Sequence, residues 1–127
     1  MRLSRRLRRE AGSGLPPALD SALAVIGRRG PLAPSELARI EDVRRPTASR
    51  LVAILERRGL VARAPDVCDR RSYRVALTDQ GRRLLRESTT RRDAYLARRL
   101  AALDPAERAT LASALALLEG FIVTEDR

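Results

Sequence analysis

The sequence predicts a mainly helical fold carrying a single two-stranded β-hairpin, on three observations. Apolar residues recur at helical spacing in several segments separated by Gly and Pro, as in Leu19, Ala22, Leu23 and Ile26. Only two short runs, Leu60 to Ala64 and Tyr73 to Leu77, read as strands. The segment between these runs, Pro65 to Ser72, is too long for a tight turn and is rich in charge.

Residues 2–11 form a short basic helix with Leu3, Leu7 and Ala11 four apart on one face. Gly12-Ser13-Gly14 breaks it and Pro16-Pro17 restarts the chain. From Ala18 to Arg29 the apolar set Leu19, Ala22, Leu23, Val25 and Ile26 follows helical spacing, and Gly30-Pro31 ends it. Pro34 suits a first helical position, with Ser35 and Glu36 in the first turn and Leu37, Ala38 and Ile40 as a short apolar face. After a polar turn at Glu41 to Arg44, a longer helix runs from about Pro46 to Arg58. Its stripe Ala48, Leu51, Val52 and Leu55 packs inward, leaving Thr47, Ser49, Arg50, Ala53 and Arg57 outward or flanking. Gly59 is the C-terminal stop.

The second strand alternates Tyr73, Val75 and Leu77, and Thr78 caps a long helix from Asp79 to about Leu103. Asp104-Pro105-Ala106-Glu107 has the form of a capping box opening a last helix, with Leu111, Leu115, Leu118 and Ile122 along one face. Two helices joined by a short turn and followed by a hairpin make a winged helix-turn-helix.

A chain of 127 residues can bury one core without staples. All 26 basic residues are arginine, and the net charge is +10. A GC-rich genome would produce the same bias; either way each positive charge is a planar, permanently protonated fork suited to phosphates and guanine edges. Residues 39–74 hold ten arginines against five acids, whereas residues 102–127 hold two against five. A basic middle and an acidic end point to a surface on part of the fold that faces a polyanion. No apolar run approaches a membrane span and no signal-like segment opens the chain, so the reading is cytoplasmic, with no membrane partner. Cys68 is alone and histidine is absent, which removes disulfides, the usual zinc sites and histidine-based hydrolysis. No cofactor or metal is expected, and an enzyme would have to run on carboxylates that show no organised pair.

The residues resemble the MarR family of bacterial transcription regulators over roughly Leu15 to Phe121. The resemblance is carried by Pro34-Ser35-Glu36-Leu37-Ala38, by Arg45-Pro46-Thr47-Ala48-Ser49-Arg50-Leu51-Val52, and by Leu55 to Arg63. The wing Asp66-Val67-Cys68-Asp69-Arg70-Arg71 and the following Leu77-Thr78-Asp79-Gln80-Gly81 complete it. It implies one MarR-like domain over residues 1–127, with the winged part at 18–81 and N- and C-terminal dimerisation helices at 1–14 and 82–127. It further implies a homodimer on palindromic double-stranded DNA, with a small-molecule effector as one route of regulation.

Thr47, Ser49 and Arg50 lie where side chains of a recognition helix reach base edges. Arg50 suits bidentate contact with guanine; pairing with a phosphate or with Glu56 is the alternative. Ser35, Arg44 and Arg45 suit phosphates, or are solvated charges. The resemblance puts Arg71 in the minor groove and Arg70 along the backbone, with Asp69 holding Arg71 by a charge-assisted hydrogen bond. Alternatively, Asp69 and Arg71 only stabilise the loop. Gly81 lets the long helix approach the hairpin closely. Leu3, Leu7, Leu111, Leu115, Leu118, Phe121 and Ile122 read as a dimer seam, or as intrachain core. Cys68 is open to a redox role or is incidental.

Three positions depart from the family pattern. Arg44 and Ala33 stand where Ser and Thr caps are usual, each at a cost of about 1 kcal/mol. Asp42 replaces a turn glycine. The opening helix is short, and with three aromatic residues in the chain no aromatic-lined pocket is predicted. The readings that compete with a sequence-specific repressor are a non-specific architectural DNA-binding protein and a module for protein contact.

Overall fold

The computed structural model describes residues 2–124, without the side chains of Ala11 and residues 122–124. The element order is α1 (Arg2–Ala11), α2 (Pro17–Arg29), α3 (Pro34–Ile40), α4 (Arg45–Arg57), β1 (Val61–Pro65), β2 (Tyr73–Leu77), α5 (Asp79–Ala101) and α6 (Pro105–Thr124). The chain divides into two compact units, Met1–Arg92 and Asp93–Arg127.

In the first unit the core holds most of the residues that helical and strand periodicity select, with Leu32, Leu60 and Val61 added. Leu19, Ala22, Leu23, Val25 and Ile26 of α2, Leu37 and Ala38 of α3, Ala48, Val52 and Leu55 of α4, and Val61 and Val75 of the hairpin are all buried. Leu51 and Ile40 are half-buried at its edge. Removing this apolar area from water is the main stabilising term. β1 and β2 pair antiparallel, with Arg63 opposite Val75 and Ala64 opposite Arg74. On the other side of β2, Leu32 exchanges both backbone hydrogen bonds with Val75, at 3.1 and 2.8 Å. This bridge adds a one-residue third rung that the sequence did not announce.

The special backbone positions have local causes. Asp42 takes φ 52°, the left-handed geometry that aspartate accepts better than most residues. Gly59 takes φ 72° just beyond α4. Thr78 Oγ1 accepts the Gly81 amide at 3.1 Å, capping α5 as its position suggests. A Cβ on Gly81 would run into the Leu60 carbonyl oxygen, which explains the glycine there. The end of α1 is tied down where Arg91 Nη2 donates to the Gly12 carbonyl at 3.0 Å.

In the second unit α6 opens on a reciprocal box. The Glu107 amide donates to Asp104 Oδ1 at 2.8 Å, and the Asp104 amide donates to Glu107 Oε2 at 3.0 Å. Arg108 Nε closes the turn on the Leu100 carbonyl at 3.1 Å. Leu111, Leu115, Leu117, Leu118 and Phe121 are exposed along α6. No described helix is long and apolar enough to cross a membrane.

Candidate nucleic-acid interface

The site is built from the first turn of α3, the first half of α4 and the loop 66–72. α3 starts on Ala33, whose methyl cannot cap, but half of a capping box survives: the Ala33 amide donates to Glu36 Oε2 at 2.7 Å. Ser35 is exposed in this turn. α4 starts on Arg44 without a side-chain cap, and Pro46 in its first turn removes one amide that would otherwise need a partner. Because Ala48, Val52 and Leu55 turn inward, Arg44, Arg45, Thr47, Ser49 and Arg50 are left exposed.

The loop is shaped by two aspartates acting on their own backbone. Asp66 Oδ1 accepts the Cys68 amide at 2.9 Å, and Asp69 Oδ1 accepts the Arg71 amide at 2.9 Å. The Asp69 bond therefore reaches the main chain of Arg71, where it sets the course of the loop. The Ser72 amide and hydroxyl both donate to the Asp69 carbonyl, at 3.1 and 3.2 Å. Asp69, Arg70 and Arg71 are all exposed, as is Cys68.

Glu56 does not pair with Arg50. It takes Arg63 instead, Nε to Oε2 at 2.7 Å, and the Arg63 guanidinium lies 4.4 Å from the centre of the Tyr73 ring. Arg63 thus joins α4 to the hairpin. Arg74, on the other face of the strand pair, holds Asp66 at 3.2 Å and lies 3.6 Å from Glu36. The Cys68 amide bond is the main reason the Asp66 carboxyl sits below its ordinary 3.8, with Arg74 adding to it.

Sequence reasoning missed Arg63, Asp66 and Arg74 as organising residues. Period-two alternation marks Arg74 as merely outward-facing, and nothing in a spacing pattern reveals that its partners lie eight and 38 positions away.

Of the residues assigned to a dimer seam, Leu3, Leu111, Leu115, Leu118 and Phe121 are exposed and Leu7 is half-buried. Ile122 falls in α6, with its side chain outside the described residues.

The profile of the MarR family matches residues 13–72. An uncharacterized HTH-type transcriptional regulator of Mycobacterium bovis is 39% identical over 119 residues, covering 93% of this chain and 83% of the relative. The HTH-type transcriptional repressor MdtR of Bacillus subtilis is 31% identical, covering 90% of this chain and 74% of the relative. The crystal structure of YusO from Bacillus subtilis superposes with a TM-score of 0.79 at 29% identity, over 94% of this chain and 88% of that one. The chain belongs to the MarR family of winged helix-turn-helix, DNA-binding transcriptional regulators.

Proposed function

We propose that the protein is a homodimeric repressor that binds a palindromic operator sequence-specifically. The observation that carries this reading is how charge is allotted. Five carboxylates around the interface have partners within the protein: Glu36 and Asp66 with Arg74, Glu56 with Arg63, Asp69 with the Arg71 amide, Glu41 with the Ser21 hydroxyl. Arg44, Arg45, Arg50, Arg70 and Arg71 take part in no ion pair among the described residues. Positive charge is thereby left for phosphates while Glu36, Asp66 and Glu56 are offset by arginines that do not face the duplex.

On this reading α4 enters the major groove, where Arg50 reads guanine and Thr47 and Ser49 flank it. Ser35, Arg44, Arg45 and Arg70 hold the backbone, and Arg71 enters the minor groove with Asp69 ordering its loop. Residues 18–81 present this surface, and the helical parts 1–14 and 82–127 pair with a second copy. The exposed Leu111, Leu115, Leu118 and Phe121 support that pairing, since a lone surface helix has no use for such a row. Repression follows the named role of MdtR. The cleft of about 400 Å³ between α2 and α5, whose lining includes Leu77, Leu85, Arg28, Arg86 and Arg92, suits a small anion as effector.

The test is selection from random duplex DNA, followed by anisotropy titration and sedimentation of the full chain. The expected result is a dimer on a palindromic site favoured over random duplex by about 10³-fold or more. Equal affinity for both duplexes would instead mark a non-specific architectural protein, and a monomer in solution would overturn the dimer.

A further inference from the structure

Arg74 is the second residue of β2 and faces away from the buried side of Val75. Its guanidinium meets three separate segments. Nε donates to Asp66 Oδ2 at 3.2 Å, and Nη1 donates to the Pro31 carbonyl at 3.0 Å. Nη1 also lies 3.6 Å from Glu36 Oε2. Asp66 opens the loop 66–72, and its other oxygen holds the Cys68 amide. Pro31 belongs to the connection between α2 and α3. Glu36 stands in the first turn of α3, beside Ser35, where the same Oε2 accepts the Ala33 amide. One rigid fork therefore spans the root of the wing and the start of the first helix of the helix-turn-helix. A single ammonium group could not satisfy the Asp66 and Pro31 oxygens with this geometry.

These contacts are of little use as a source of global stability. The Arg74 side chain is 42% exposed and Glu36 44%, so solvent screens their attraction. What they define is direction. Asp66 is the more enclosed partner, at 13% exposure, and without the fork its carboxylate would be held only by the Cys68 amide.

We propose that Arg74 is a positioning residue for duplex binding, fixing the wing against the start of α3 so that Arg70, Arg71 and Ser35 meet one duplex in register. Arg74 does not itself touch DNA. The proposal rests on the DNA-binding reading above, and one arm of its test is independent of DNA.

Arg74→Gln and Arg74→Lys are compared with the natural chain in two measurements. The first is amide hydrogen exchange in the DNA-free protein, read at Cys68 and, as an internal reference, at Val52 and Leu55 in α4. The second is affinity for the selected palindrome across a salt series. In both variants the Cys68 amide should exchange faster while Val52 and Leu55 do not change. Operator affinity should fall by about tenfold, in the range of coupling through a packed contact network. The slope of log affinity against log salt should stay as in the natural chain. A slope reduced by about 0.9, with recovery in Arg74→Lys, would make Arg74 a phosphate contact and overturn the proposal. Unchanged exchange at Cys68, or equal acceleration at Val52, would overturn it as well. A natural chain that shows no preference for a palindrome counts against the repressor reading, whereas the exchange arm reports on the Arg74 contacts by themselves.

Discussion

Thr78 Oγ1 donates to the Gly59 carbonyl at 2.6 Å while accepting the Gly81 amide at 3.1 Å. A single hydroxyl thus caps α5 and holds the turn that ends α4. The Thr78 amide adds a bond to the Leu60 carbonyl at 3.1 Å. The end of the candidate recognition helix and the start of the long helix therefore move together.

Thr78→Val keeps the shape but removes both hydroxyl bonds. It should destabilise the protein by about 1–2 kcal/mol, the usual cost of a lost cap and an orphaned carbonyl. Urea denaturation measures this directly, and a midpoint equal to that of the natural chain would show that water replaces the hydroxyl without loss.

Gly81→Ala sets two effects against each other. Alanine gains about 1 kcal/mol of helix propensity over glycine. The new Cβ would collide with the Leu60 carbonyl oxygen, a backbone atom held by the Thr78 amide. Overpacking costs typically about 1–3 kcal/mol, so the net change should be destabilising. A gain in thermal stability for Gly81→Ala would mean that α5 can draw away from the hairpin freely.

Arg50→Ala and Arg71→Ala should fail in different ways. If Arg50 reads guanine, its loss costs about 1–3 kcal/mol on the operator and little on random duplex, so discrimination falls. Loss of Arg71 should weaken the operator complex and reduce the salt slope by about one unit. Affinity measured on both duplexes over a salt series separates the two. An Arg71→Ala protein with natural affinity and slope removes Arg71 from the DNA contact.

The wing should loosen in acid. The Asp66 carboxyl is held below its ordinary 3.8 by the Cys68 amide first, with Arg74 also contributing. A depressed folded value means that its contribution is complete above the ordinary value and is lost as pH falls through the lowered one. Amide exchange in the loop, corrected for intrinsic rates, should therefore be flat above about pH 4 and rise below it. The Asp79 carboxyl is also lowered, chiefly by its hydrogen bond from Arg82. Asp66→Asn isolates the wing component: it should abolish the rise at Cys68, and persistence of the rise would assign it elsewhere.

Much of this molecule is legible from residues met in order. Apolar periodicity in α2 and α4, Pro34 at a first helical position, Gly59 after α4, the Thr78 cap and the Asp104–Glu107 box are local signals, and the structure has each of them. They are legible because helix periodicity, capping and turn preference act over a few neighbouring residues. Residue type and helix position also brought Arg50 forward as a candidate contact, and the family resemblance added Arg70 and Arg71.

Tertiary structure decided which charges remain available. Glu56 and Arg63 are seven residues apart, and only the path of the chain from α4 into β1 brings them together. Arg74 meets Pro31 across 43 positions, and Leu32 meets Val75 across the same span. Such pairings depend on how the hairpin packs beside the start of α3, a product of burying Val61, Val75 and Leu32 in one core. An arginine on a strand reads the same in sequence whether it is solvated, paired or a latch. Burial and long-range geometry make that distinction, because an ion pair is defined by distance in space and not by spacing along the chain.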